Sequence, residues 1–333
     1  MKLIIPMAGM GKRMRPHTLT VPKPLLPVAG KPIVHWLIED IAAVCEQPID
    51  EIAFVIGDFG QETEAKLLEI AKSVGAKGHI CYQHEPLGTA HAILCAKESL
   101  KGEVIVAFAD TLFKAKFHLD TKPDGVIWVH KVENPSSFGV VKLDSDNHIT
   151  DFVEKPTEFV SDLAIIGIYY FKSGETLHHE LQYLIDNNIQ EKGEYQLTNA
   201  LENMKNKGML FKPGTVDEWW DCGNKDATVH TNRRLLDTRQ ELFLVAPDRV
   251  KGGNKLIEPC FIGENVELNG CIIGPYVSIG DNTVMENCVV SNSIIQSNNR
   301  ISNLDFTNSM IGNHVVLDGN SCELSLGDFS TQS

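Results

Sequence analysis

The chain has 333 residues, of which 43% are hydrophobic and 22% charged, and it carries a formal net charge of -14. That length admits two domains, the composition is ordinary for a globular protein, and no apolar run approaches the ~18 residues of a membrane helix. The acidic balance argues against a nucleic-acid partner, since duplex binding needs a broad basic face. The chain enters a strand-like run at once, without the pattern of a signal peptide. Eight scattered cysteines (Cys45, Cys81, Cys95, Cys222, Cys260, Cys271, Cys288 and Cys322) form no C-x-x-C pair and read as reduced, buried thiols of a cytoplasmic protein.

In chain order, residues 3–5 read as a buried strand. Residues 32–45 read as a helix with Ile33, Trp36, Leu37, Ile41 and Val44 on one face. A strand at 52–56, a helix at 62–74, a strand at 79–83, a helix at 89–97 and a strand at 104–107 follow. This βαβ rhythm predicts an α/β fold with a doubly wound, mixed but mostly parallel sheet, whose ligands sit at the carboxyl ends of the strands. Strands at 125–132, 139–143, 149–153 and 163–171 read as partly antiparallel. Helices are expected at 173–188, 195–206 and 225–241. The catalytic unit is accordingly placed at 1–245, with a turn-rich linker at 246–255.

From residue 256 onward the texture changes. Arg300 is the sole Lys or Arg there, Asn is abundant, and Ile-Gly pairs recur at Ile262-Gly263, Ile273-Gly274, Ile279-Gly280 and Ile311-Gly312. Aliphatic residues fall near every sixth position (Ile262, Leu268, Ile273, Ile279, Met285), slipping by one between Leu268 and Ile273. This is the hexapeptide signature of a parallel β-helix, placed at 256–328 and expected to be left-handed and short, about four coils of roughly eighteen residues. Gly and Asn, such as Asn265 and Asn282, fit its αL corners.

Between the first strand and the first helix lies the segment with the strongest chemical signal. Gly9 and Gly11 are followed by Lys12, Arg13, Arg15, Lys23 and Lys31, and no Asp or Glu occurs before Glu39. An acidic chain that keeps one end basic is building an anion site. Glycine supplies close backbone approach and N–H donors, while Arg and Lys supply charge-assisted bonds to phosphate. No Walker A spacing is present, and Met14 stands where a dinucleotide fingerprint needs its third glycine. Pro16, Pro22, Pro24, Pro27 and Pro32 prevent direct entry into a helix and predict a long, stiff loop.

Three further constellations stand out. Gln83-His-Glu-Pro-Leu-Gly-Thr-Ala-His91 follows a strand. A Gln there can pair with a pyrimidine edge, or be a solvated strand end, and Gly88 exposes bare backbone. Asp110 ends an apolar strand and Asp221 sits in Trp219-Trp-Asp-Cys-Gly223. Each alone reads as a cap or turn residue, but together with the basic loop they favour a metal site. Near Phe138-Gly139, Glu154 can accept hydrogen bonds from two adjacent hydroxyls, and Lys155 can hold a phosphate as a point charge. No histidine base is needed for such chemistry, because a phosphate monoester is already an oxyanion at pH 7.

The pattern G-x-G-x-R-[ML]-x-P-x-T-x-x-x-P-K-P-L-x-P-x-x-x-K-P, running from Gly9 to Pro32, resembles the signature of the sugar-1-phosphate nucleotidylyltransferases. Ile5-Pro-Met-Ala-Gly-Met-Gly11 looks most like bacterial UTP–glucose-1-phosphate enzymes, and Pro24-Leu-Leu-Pro-Val-Ala-Gly-Lys-Pro32 is more similar to thymidylyl- and uridylyltransferases with an appended β-helix. The family often has Thr where this chain has Lys12. The resemblance implies that Arg13, Lys23 and Lys155 carry catalysis. It implies that Ala8, Gly9, Gly11, Lys12, Gln83, Gly88 and Thr89 bind the nucleotide. Gly139, Glu154, Lys155 and Ile166 would bind the sugar phosphate, and Asp110 and Asp221 would hold Mg²⁺. Ala164-Ile165-Ile166 stands where enzymes for N-acetylglucosamine phosphate often carry Asn, which leans towards glucose-1-phosphate, with dTTP or UTP as donor. Glu194 matches a further family element without a settled role. Two rivals remain: a bifunctional enzyme whose β-helix also transfers acetyl, with His314 the candidate base, and a non-catalytic regulatory relative. Apolar runs such as Val289, Val290, Ile294 and Ile295 lead to the expectation that the β-helix mediates homo-oligomer formation.

Overall fold

The computed structural model describes residues 1–9, 11–115, 119–243, 253–319 and 323–332. Its elements in chain order are β1 (Lys2–Pro6), the hairpin β2 (Pro27–Val28) and β3 (Lys31–Pro32), α1 (Ile33–Val44), β4 (Glu51–Ile56), α2 (Gln61–Ser73), β5 (Lys77–Tyr82), α3 (Thr89–Leu94), β6 (Val104–Ala107), β7 (Thr111–Lys114), β8 (Gly125–Lys131), β9 (Val140–Leu143), β10 (Ile149–Val153), β11 (Leu163–Phe171), α4 (Gly174–Asp186), α5 (Leu197–Asn206), β12 (Phe211–Thr215), β13 (Glu218–Asp221) and α6 (Lys225–Thr238). Short parallel strands follow from Lys255. Contacts divide the chain into two compact units, Met1–Gly9 with Leu37–Trp219, and Met10–Trp36 with Trp220–Ser333.

The first unit is built on a mixed sheet with the order β10-β9-β11-β6-β1-β4-β5, and β8 carries β12 off β11. β5, β4, β1 and β6 run parallel, and β11 enters antiparallel beside β6. β1 is followed spatially by β4 on one side and by β6 on the other. The strand order therefore reverses at β1, and the crevice outside the carboxyl ends of β1 and β6 is the topological switch point. Burial on both faces explains the continuous apolar runs of β1, β4 and β6. Leu177, Leu181 and Leu184 of α4 and Leu197, Leu201 and Met204 of α5 pack into one core with Val104, Val106 and Ile127 of the sheet. β11 does not pair evenly. Ile165 opposes Val129 and Tyr169 opposes Ile127, so residues 166–168 bulge, with Gly167 at φ +84. Such bulges re-aim side chains beside sites.

The second unit holds the basic loop, the hairpin, α6 and a parallel β-helix of three sheets. Coils advance from Cys260 to Val277, to Ser293, and from Ile294 to Met310 to Ser325, that is by 17, 16, 16 and 15 residues. The expected eighteen-residue period is therefore corrected. Several turns close in five residues rather than six, because Asn can sit at the corner in αL. Asn265, Asn282 and Asn298 form one such column, with φ of 53, 56 and 63, bonded Nδ2 to Oδ1 at 3.1 and 3.4 Å. Ile273, Val290 and Phe306 stack in the core, as do Ile279, Ile295 and Ile311, and Met285, Ile301 and Leu317. A second correction concerns the apolar run. Val290, Ile294 and Ile295 are buried within the unit, and of that run Val289 alone is exposed. The seven described cysteines are free thiols. Met10, residues 244–245 at the end of the expected catalytic unit, residues 246–252 of the expected linker and Cys322 lie outside the described residues. Among the described residues no helix is long and apolar enough to cross a membrane.

Candidate active site

In the first unit, Ala8 and Gly9 follow β1 at the switch point. Gly9 is exposed, and a Cβ there would meet nothing within 4 Å, so its backbone is open to a ligand. Asp110 lies half-buried just past β6. Next to it the bulge in β11 is tied down, because Phe108 N donates to Gly167 O at 2.9 Å and Thr111 Oγ1 donates to Ile166 O at 2.8 Å. Ile166 is buried.

Gln83 follows β5 and turns its side chain onto the start of α3. Its Nε2 donates to Gly88 O at 3.2 Å and meets His91 Nδ1 at 3.1 Å. A carbonyl can only accept, so the amide nitrogen must be the atom placed there. Both of its hydrogens are then committed, and His91 must be neutral with its proton on Nε2. Burial lowers the pKa of His91, opposed more weakly by Glu85, which favours that neutral form. Gly88 has a different reason to be glycine from the one its sequence suggests. It sits at φ +110, and a Cβ would lie 2.5 Å from Tyr195 O and 2.7 Å from Tyr195 N. The bare backbone admits the Tyr195 backbone, which is bonded here through Ala90 N to Tyr195 O and Tyr195 N to Leu87 O. Thr89 Oγ1 donates to Gln196 Oε1 at 3.2 Å and accepts from Leu197 N at 2.9 Å, fixing the starts of α3 and α5 to each other. Glu194 is exposed and accepts from Gln196 Nε2 at 2.9 Å.

Gly139 lies against Glu154, which neighbours Lys155 in the chain. Lys155 has φ 39 and its N–H donates to Phe138 O at 3.1 Å, which turns the chain sharply after β10. Glu154 Oε1 pairs with Lys155 Nζ at 3.3 Å, and Oε2 accepts from Thr198 Oγ1 at 3.3 Å. The Glu154 side chain is 15% exposed and that of Lys155 is 52% exposed, so the carboxylate is fixed while the ammonium reaches solvent. A Cβ on Gly139 would lie 3.2 Å from Glu154 Oε2, so the glycine leaves that carboxylate its room. Burial, with Glu154 adding to it, pushes the Tyr169 phenol well up and keeps it neutral. Phe138 meets Trp219 edge-on at 5.1 Å, and Trp219 Nε1 donates to Thr111 Oγ1 at 3.4 Å. Thr111, His91, Thr198 and Trp219 were not singled out as functional by sequence reasoning. Thr198 had a faint signal, being in the same short block as Glu194.

In the second unit the basic loop forms two short 3₁₀ turns, Lys12–Met14 and Lys23–Leu25, as its prolines dictate. Gly11 caps the first at φ 58, and a Cβ there would meet Lys23 Cβ at 3.0 Å and Thr18 Cγ2 at 3.2 Å. Gly11 thus brings the Lys12–Arg13 turn and Lys23 against one another. Lys12 and Arg13 are exposed, Lys23 is half-buried, and Met14 anchors the turn in the core. Thr18 Oγ1 donates to Gly11 O at 2.9 Å. His17 is buried, with Nε2 3.3 Å from Ser325 Oγ, and burial lowers its pKa to about 4, countered by Asp328. Asp221 Oδ1 accepts from Gly223 N at 3.0 Å, and a Cβ on Gly223 would strike that carboxylate at 2.9 Å.

Asp110 and Asp221 offer carboxylate oxygens, and among the described residues no group of three or more His, Cys, Asp or Glu is gathered for a metal. Carboxylate oxygens of this kind suit a hard divalent ion, whose shell phosphate and water can complete.

An open α/β sheet whose strand order reverses at β1 defines a protein of the doubly wound class. The family model for nucleotidyl transferases matches residues 2–238, and the chain belongs to that family. It is 29% identical to a glucose-1-phosphate thymidylyltransferase of Streptomyces antibioticus, covering 95% of this chain and 93% of that one. It is 31% identical to the bifunctional protein GlmU of Methanococcus vannielii, covering 94% and 78%. A crystal structure of UDP-glucose pyrophosphorylase complexed with UDP-glucose superimposes with a TM-score of 0.60 at 22% identity, covering 72% of this chain and 99% of that one.

Proposed function

We propose that the protein transfers a nucleoside monophosphate from a nucleoside triphosphate, dTTP or UTP, to a sugar-1-phosphate, glucose-1-phosphate, giving a nucleoside-diphosphate sugar and pyrophosphate. The observation that carries this reading is the Glu154–Lys155 pair. A carboxylate fixed by Thr198 suits a vicinal diol, and a solvent-reaching ammonium beside it suits the sugar's phosphate. The catalytic domain is taken as residues 1–245 and the β-helix as 256–328.

A sugar-phosphate oxygen attacks the α-phosphorus in line. The new O–P bond forms as the bond to the bridging β-phosphate oxygen breaks, and pyrophosphate leaves with the electron pair. Lys155 orients the attacking phosphate. Arg13 and Lys23 neutralise the charge that builds on the leaving group, with Lys12 beside them, and the backbone of Gly9 and Gly11 admits the phosphates closely. Mg²⁺, when bound to Asp110 and Asp221, supplies further charge neutralisation on the triphosphate. Gln83 selects the base. With both amide hydrogens on Gly88 O and His91 Nδ1, Oε1 is the part available to a ligand. An acceptor fits the N3–H of thymine or uracil and opposes the ring acceptor of cytosine. Ala8, Gly88 and Thr89 shape the rest of that pocket, and Gly139 and Ile166 the sugar side.

The relatives' names favour this donor and acceptor. Ile272 and Val289, neighbours in one column and 39% and 44% exposed, support homo-oligomer formation through the β-helix. A second, acetyl-transferring activity gains no support from His314, which occupies an αL corner (φ 56) and stacks on Phe329 at 4.9 Å. Pyrophosphate release with glucose-1-phosphate and each of the five common triphosphates tests the reading. Release with none of them refutes it.

A further inference from the structure

One column of the β-helix faces outward along its second sheet: Phe261, Ser278, Ile294, Met310 and Ser325. Taken coil by coil, it meets the rest of its own unit. Phe261 sits against Gly30 of the β2–β3 turn, where a Cβ would overlap the ring at 2.3 Å. Ser278 Oγ donates to Asn232 Oδ1 of α6 at 2.7 Å, and Ala29 N donates to the same oxygen at 2.8 Å. Ile294 and Met310 are buried. The last member, Ser325, reaches His17 of the basic loop.

Around Ser325 the contact widens. Gly327 is buried, and a Cβ there would lie 2.9 Å from Pro16 Cβ and 3.2 Å from Pro16 O. Asp328 closes the contact. Its Oδ1 accepts from Asn313 N at 2.6 Å, which anchors it to the coil beneath, and its Oδ2 accepts from Thr20 Oγ1. A corner carboxylate of the same kind, Asp281, accepts from Glu264 N at 2.7 Å, so Asp328 uses a repeat position of the solenoid to grip the loop. Two residues before Thr20, Thr18 holds Gly11 O, and Gly11 packs on Lys23. The same coil also holds the start of α6, since Lys225 Nζ pairs with Glu323 and donates to Asn308 O at 3.0 Å. Lys225 lies four residues beyond Asp221. Both second-unit elements assigned to the triphosphate, the loop and the Asp221 turn, are thus fastened to the end of the solenoid.

We propose that the last coil, through Ser325, Gly327 and Asp328, is the seat that holds the glycine–arginine loop in the conformation that receives the triphosphate, so that Thr20 and Asp328 are positioning residues for nucleotidyl transfer. This rests on the reading of the loop as the triphosphate site. The β-helix is then part of the catalytic apparatus as well as an assembly surface. The coupling runs through contiguous contacts, Asp328 to Thr20 and Thr18 to Gly11 and Lys23.

The test uses the full chain with Thr20→Val, Asp328→Ala, the double variant and Thr20→Ser. One readout is independent of activity: the rate of tryptic cleavage after the exposed Lys12 and Arg13. The other is KM for dTTP and UTP against KM for glucose-1-phosphate. Each single loss should speed loop cleavage and raise the triphosphate KM by about tenfold, as expected for a charged hydrogen bond, with the sugar-phosphate KM within about twofold. The double variant should be no worse than Asp328→Ala, which has already lost the Thr20 bond along with that to Asn313 N, and Thr20→Ser should behave as the parent. Unchanged cleavage, additive losses, or an equal rise in the sugar-phosphate KM overturns the proposal. Should the parent protein release no pyrophosphate with any triphosphate, the proposed activity falls. The cleavage rates then decide the seat alone, faster loop cleavage upholding it and equal rates overturning it.

Discussion

Gln83→Ala removes the amide that ties the strand end to the start of α3. Two hydrogen bonds disappear, to Gly88 O at 3.2 Å and to His91 Nδ1 at 3.1 Å. At about 1 kcal/mol each, stability should fall by about 2 kcal/mol, read as a lower midpoint in urea unfolding. The larger effect is on selectivity. If Oε1 accepts from the N3–H of thymine or uracil, its loss takes away about 1–3 kcal/mol of discrimination, or about ten- to a hundredfold in kcat/KM for dTTP or UTP relative to CTP. His91→Ala keeps Oε1 but frees one of the two hydrogens that aim it, and should lose part of the preference. The assay is pyrophosphate release at saturating glucose-1-phosphate with each triphosphate in turn. A preference ratio in Gln83→Ala equal to that of the parent refutes the assignment of the base to Gln83. A Gln83→Ala protein with undiminished stability refutes the geometry itself.

Asp110→Asn or Asp221→Asn should cut turnover by about a hundredfold or more, with the unfolding midpoint within a few degrees of the parent; near-normal turnover removes that residue from the metal site. Arg13→Ala and Lys23→Ala should raise KM for the triphosphate and slow turnover with little change for glucose-1-phosphate, whereas Lys155→Ala should chiefly weaken sugar-phosphate use; the opposite pattern in steady-state kinetics reverses the assignment. Gly88→Ala places a methyl 2.5 Å from Tyr195 O at φ +110, and should cost more than about 2 kcal/mol of stability by denaturant titration. Burial lowers His17 from 6.5 to about 4, so the native state binds fewer protons than the unfolded chain within that window. The His17 contribution to stability is therefore whole above pH 6.5 and lost as pH falls towards 4, and His17→Gln should flatten this part of the stability–pH curve.

Most strands and helices of the first unit are written in apolar periodicity and could be placed within a few residues. β12 could not, because Lys212-Pro213-Gly214 reads as a break. Pro213 is tolerated there since β12 pairs with β8 alone and sits at an edge. β7 and the β2–β3 hairpin are too short to show a period. In the solenoid, spacing announced the architecture but overestimated the coil, because five-residue turns depend on Asn adopting positive φ, which a hexad count does not register. The site residue types were legible, but their reasons were less so. Gly88 looks like a ligand glycine, and its Cβ space is taken by Tyr195, more than a hundred positions away. Gln83 looks like a donor–acceptor reader, and the fold spends its donors on Gly88 and His91. Long-range partners of this kind leave no local trace in a single sequence.

The contact between His17 and Ser325 spans 308 positions of the chain, as does that between Thr20 and Asp328. During synthesis the basic loop leaves the ribosome well before the last coil that it contacts. At about 5–20 residues per second, the loop waits on the order of 15–60 s for them. The sheet and helices of the first unit can assemble in that interval, and the solenoid can grow coil on coil, each edge strand covered by the next. Thr20 and His17 nonetheless gain these partners only when the final coil is laid down. A nascent chain would therefore carry a folded sheet before its basic loop is fastened, and, with the loop as the proposed triphosphate site, the order of translation would itself delay the onset of triphosphate binding.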